Sequence, residues 1–155
     1  MRLSDAFVQL GESGLGQLVR SVSLGKLRTY QMYEPFKIRA RLHKLNTETL
    51  RNAAPRFWAR LHDERDEEFA KELAQAVLVS HLEMITEILD FLGMPHENGF
   101  FQKDVDAKAY LTGGWQQRVF ERFREKYPEA LVVFYINHLT AELTDGEPYA
   151  PARSD

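Results

Sequence analysis

The chain has 155 residues and no cysteine. Disulfides, thiolate metal sites and cysteine nucleophiles are thereby excluded, and the absence fits a reducing compartment. Long apolar runs are missing too. The most hydrophobic stretches are interrupted by charge, so no segment is expected to span a membrane. The opening residues, MRLSDAFVQLGES, carry Asp5 and Glu12 and do not read as a signal peptide. A soluble, cytoplasmic protein is the expectation. No G-x-S-x-G sets a serine on a nucleophile elbow. No histidine has a glutamate three residues before it, so the Glu-x-x-His pairs of di-metal bundles are absent. Gly11, Gly14 and Gly16 resemble a phosphate loop only superficially, because no strand precedes them and no Lys-Ser or Lys-Thr follows. Neither a cofactor nor a metal is expected.

What is present is helical patterning. The stretch Glu67 to Leu92 places Glu68, Lys71, Glu72, Gln75, Glu83, Glu87 and Asp90 on one narrow stripe. Phe69, Leu73, Val77, Leu78, Met84, Ile85, Ile88, Leu89 and Leu92 fill most of the remaining circumference. A helix with so little polar surface must be covered by neighbours. It is predicted to run over about 65–92, capped by Asp63 and closed by Gly93 and Pro95. The fold class that follows is all-α: a single-domain bundle of six or seven helices around that central helix. The domain is expected to cover 1–144, and DGEPYAPARSD, residues 145–155, reads as a disordered tail.

The remaining segments read as cladding. Ser4 to Leu10 makes a short first turn, and Ser13 caps a helix with Leu15, Leu18, Val19 and Val22 at helical spacing. Residues 36–43 alternate like a strand, yet Ile38, Leu42 and Leu45 also keep helix period, and a lone strand has no partner for its backbone. Helix is preferred there. Asn46 or Thr47 caps a further helix with Leu50, Ala54, Phe57, Trp58 and Leu61 on its buried face, and Pro55 bends or restarts it. Asn98-Gly99 signals a tight turn, and Asp104 caps a short helix. Trp115, Val119, Phe120, Phe123 and Tyr127 share a face. Pro128 opens a final helix, although 131–136 is β-prone in composition.

Charge is distributed unevenly. Residues 18–62 hold ten Lys or Arg against two acids, a balance of +8, whereas 63–155 hold nine against nineteen, a balance of −10. Such a split suggests an acidic partner for the basic part, or association of opposite halves of two copies.

Three functional readings follow. The leading one is a non-enzymatic helical interaction module that self-associates, as a homodimer by the commonest oligomeric solution. The second is a nucleic-acid-binding domain using 26–60, where Arg28, Lys37, Arg39, Arg41, Lys44, Arg51, Arg56 and Arg60 are interleaved with aromatics. It is the weaker one, because the sequence pI of 6.0 is far from the usual footprint and a solvated basic face accounts for the pattern. The third is a ligand-binding or enzymatic bundle with a buried polar pocket near His81, Asn137, His138 and Glu142. His81 lies about 160° around its helix from Glu83, so it faces the core and must find a partner. A structurally satisfied histidine is the commoner outcome. His138 and Glu142 stand at i, i+4, as do Glu83 and Glu87, but the latter pair belongs to the water-facing stripe.

Overall fold

The computed structural model describes residues 2–21, 58, 61, 67–100 and 106–151. Among them are seven helices and no strand: α1 (Leu3–Val8), α2 (Gly11–Ser21), α3 (Glu67–Ser80), α4 (Leu82–Leu92), α5 (Ala107–Tyr110), α6 (Trp115–Phe123) and α7 (Glu129–Leu143). The protein is all-α, as the periodicity predicts. No helix among the described residues is long and apolar enough to cross a membrane. Two compact units divide the chain at Ser80, residues Arg2–Ser80 and His81–Asp155. The expectations for 36–43, for the Pro55 bend, and for caps at Asp63 and Asp104 fall outside the described residues.

In the first unit, α1, α2 and α3 pack together. Leu3, Ala6 and Phe7 of α1, Leu15 and Leu18 of α2, and Phe69, Leu73 and Val77 of α3 are buried. The polar stripe of α3 lies in water, with Glu68, Lys71, Glu72 and Gln75 exposed. A helix start leaves four N–H groups without intrahelical partners. At α1 they are met from two directions. Asp5 accepts from the Arg2 N–H at 2.8 Å, and Glu67 of α3 accepts from the Leu3 N–H at 2.6 Å and the Ser4 N–H at 3.3 Å. A carboxylate at the positive end of a helix is also favoured by the macrodipole. Helix α2 begins three residues earlier than a Ser13 cap requires, at Gly11, whose φ of 75° only glycine adopts without strain.

The helix expected over 65–92 is interrupted. His81 takes φ −133° and ψ 39° between α3 and α4. Just before it, the Ser80 hydroxyl donates to the Ala76 carbonyl at 2.8 Å, a back-bond that bends and weakens helices. Among the described residues the longest unbroken run of buried ones lies elsewhere, at Leu131–Thr140 of α7. That segment has no polar stripe at all, so its helix must be covered all round. The β-prone composition of 131–136 yields to helix here, as Pro128 at its N-cap predicts.

In the second unit α6 packs against both α4 and α7. Helix α4 closes with a Schellman motif: Gly93, at φ 74°, donates to the Asp90 carbonyl, and Met94 donates to that of Leu89. Met94 is buried behind it. The chain then reverses through Asn98 (φ 54°) and Gly99 (φ 90°), with two Glu97–Phe100 backbone hydrogen bonds, which is a type I′ turn. The α-carbon of Gly99 approaches Leu82, Ile85 and Thr86 closely enough that an added methyl would meet them at 3.4–3.5 Å.

Candidate functional site

Helix α7 gathers the buried polar side chains of its unit, and it treats them in two ways. On the face toward α6, Asn137 is fully buried, and both its oxygen and its nitrogen have partners. Its Oδ1 accepts from the Tyr149 N–H at 2.6 Å, and its Nδ2 donates to the Tyr149 carbonyl at 3.1 Å. One amide side chain thus reads both backbone groups of one residue. The Tyr149 ring lies 5.8 Å from that of Phe120, and its hydroxyl donates to Gln117 Oε1 at 2.5 Å. Burial pushes the Tyr149 phenol above its ordinary range, with Glu121 adding to the effect, so it stays a donor. Nearby, Gln116 donates to the Thr140 hydroxyl at 2.9 Å, tying α6 to α7. Within 145–155, expected as a disordered tail, Tyr149 is docked. The composition of that segment conceals this, because a single anchor among Pro, Ala and Gly leaves no periodicity.

On another face, Tyr135 and His138 sit one turn apart with rings 5.9 Å apart and nearly parallel, at 20°. Phe134 approaches the same imidazole at 6.2 Å. The Tyr135 hydroxyl and His138 Nδ1 are buried and make no hydrogen bond among the described residues. Burial holds His138 at about 4, so the ring is neutral at pH 7, and it pushes the Tyr135 phenol up. Two orphan polar atoms this close are uncommon, since most buried polar atoms find a partner. Chemically the pair offers a hydroxyl donor and an uncharged imidazole, between aromatic rings.

The other residues of the expected pocket go elsewhere. Glu142 is exposed and does not join this group. His81 is half-buried at the start of α4, and burial lowers its basicity. His96, in the turn His96-Glu97-Asn98-Gly99, is held at both ring nitrogens: its Nδ1 accepts from the Gly99 N–H at 3.1 Å, which leaves Nε2–H to donate to Asp90 at 2.7 Å. It staples the type I′ turn to α4. Glu87 accepts from Lys126 and Tyr127, which anchor the end of α6; these bonds hold its carboxyl below the usual range, while burial first and the Glu87 bond second push the Tyr127 phenol up to about 12. All eight arginines and lysines of the basic segment, Arg28, Lys37, Arg39, Arg41, Lys44, Arg51, Arg56 and Arg60, lie outside the described residues. Among the described residues no three metal-ligating side chains converge. No family model, curated protein or solved structure matches this chain.

Proposed function

We propose that the protein is a non-enzymatic helical interaction module that works in the cytoplasm by associating with a second copy of itself. The observation that carries this reading is the exposure of two large aromatic rings on firmly held elements. Phe91 is 42% and Phe100 57% exposed. Phe91 stands edge-on to Phe123 at 5.7 Å near the Schellman-closed end of α4. Phe100 closes the type I′ turn that His96 staples down. Rings fixed in water are suited to serve as anchors, because little ordering cost remains when a partner covers them. Exposed acids, Glu83, Asp90 and Glu97, belong to the same unit. The basic stretch 18–62 of another copy supplies the opposite charge. Sedimentation at micromolar concentration tests this directly. A dimer at low salt that weakens at high salt is expected, and Phe91→Ser or Phe100→Ser should shift it toward monomer. A monomer at both salt concentrations would remove the reading.

A second reading rests on Tyr135 and His138. Their unpaired, buried and uncharged polar atoms suit a small neutral ligand that both donates and accepts hydrogen bonds. A thermal-shift series with phenol, butanol and acetamide tests it: a saturable rise lost in Tyr135→Phe is expected, and a flat response to all three rejects it.

A further inference from the structure

The Asn137–Tyr149 contact has the form of peptide recognition. Helix α7 ends at Leu143, Thr144 is extended, and the Gly146 N–H donates to the Thr144 hydroxyl at 3.0 Å, turning the chain back along the helix. The returning segment, Gly146–Pro151, contains Pro148 and Pro151, which lack N–H donors and favour extended backbone. Within it Asn137 satisfies both backbone groups of Tyr149, as a neighbouring strand does for an added strand. The tyrosine ring enters beside Phe120 and its hydroxyl is read by Gln117. Glu147 and Ala150, on either side, are exposed and read by nothing. Recognition therefore rests on one main-chain pair and one side chain. Every contact is non-covalent and sits beyond a glycine-containing bend, so the same segment of another molecule fits the same cleft.

We infer that the cleft between α6 and α7 is a peptide-docking site for an extended Pro-Tyr segment, occupied in cis by residues 146–151, and that its trans ligand is the same segment of a second copy. The inference rests on the self-association reading for its ligand. Occupancy in cis makes the site latent: a tethered segment competes at an effective concentration in the millimolar range.

The probe is the free peptide acetyl-GEPYAP-amide, added to isotope-labelled full-length chain. In Tyr149→Ala, whose cis segment has lost its anchor, the peptide should bind saturably, with a Kd on the order of 1 mM or tighter. Resonances of Gln117, Phe120 and Asn137 should shift. Wild type should need at least about twofold more peptide, and proportionally more the tighter the peptide binds, because its own tail competes. Adding Asn137→Leu to Tyr149→Ala should abolish binding. If Tyr149→Ala does not fold, wild type alone decides: excess peptide should speed hydrogen exchange at the Tyr149 amide by displacing it from Asn137. Binding that survives Asn137→Leu, or no effect of millimolar peptide on either chain, overturns the proposal. Sedimentation keeps the two ideas apart. A dimer that ignores the peptide removes only the docking site, whereas a monomer that binds it removes the second copy as ligand and this proposal with it.

Discussion

Two faces of α7 bury polar groups to nearly the same depth with opposite results. Toward α6, Asn137 exchanges hydrogen bonds with the Tyr149 backbone through both its oxygen and its nitrogen. On another face, Tyr135 and His138 place a hydroxyl and a ring nitrogen where neither finds a partner among the described residues. Burial alone does not separate a structural polar group from an available one; satisfaction does. The first face spends its polar atoms on closing the fold. The second keeps them at a cost in stability.

Mutations on the two faces should therefore move stability in opposite directions. The largest effect is expected at Asn137→Leu. It strands two buried backbone groups of Tyr149, each worth about 1–3 kcal/mol, so urea denaturation should show a loss of roughly 3 kcal/mol. A loss below half of that would mean the tail contributes little and would weaken the contrast.

Acid should act through the other face. His138 is held at about 4 in the fold against 6.5 when unfolded. Above pH 6.5 both states are neutral and the group contributes no pH dependence. Between 6.5 and 4 the unfolded chain takes up a proton that the fold refuses, so stability falls; below 4 the loss levels off at about 3 kcal/mol. Denaturation midpoints measured from pH 7.5 to 4 should show that decline in wild type and lack it in His138→Leu.

Smaller effects sharpen the same comparison. At pH 7.5, Tyr135→Phe removes an unpaired hydroxyl without opening a cavity and should stabilise by about 1 kcal/mol. Destabilisation instead would show that the hydroxyl has a partner in solution. The smallest change is expected at Thr140→Val, which deprives Gln116 of its acceptor at the part-buried edge of the first face. A loss of about 0.5–1 kcal/mol by thermal unfolding is the expectation.

Much of the helical framework was legible in advance. The stripe Glu68, Lys71, Glu72, Gln75 and the buried set Phe69, Leu73, Val77 follow from a 3.6-residue period that each helix carries in its own sequence. Gly93 before Pro95, Asn98-Gly99 and Pro128 are local signals as well, and each stands where local chemistry puts it. His138 was also legible as a buried polar residue, but its lack of a partner was not. The break at His81 was hidden because apolar spacing continues straight through it from Val77 to Ile85.

The sequence by itself thus determined which segments are helical, which faces they bury and where several of them stop, because those properties depend on neighbours three or four residues away. The tertiary structure alone decided who bonds to whom. Glu67 reaches the N-terminus of α1 across 64 residues, and Tyr149 of the tail finds Asn137. No period in the chain encodes such meetings. They depend on how the helices come together, and that same packing leaves Tyr135 and His138 without partners.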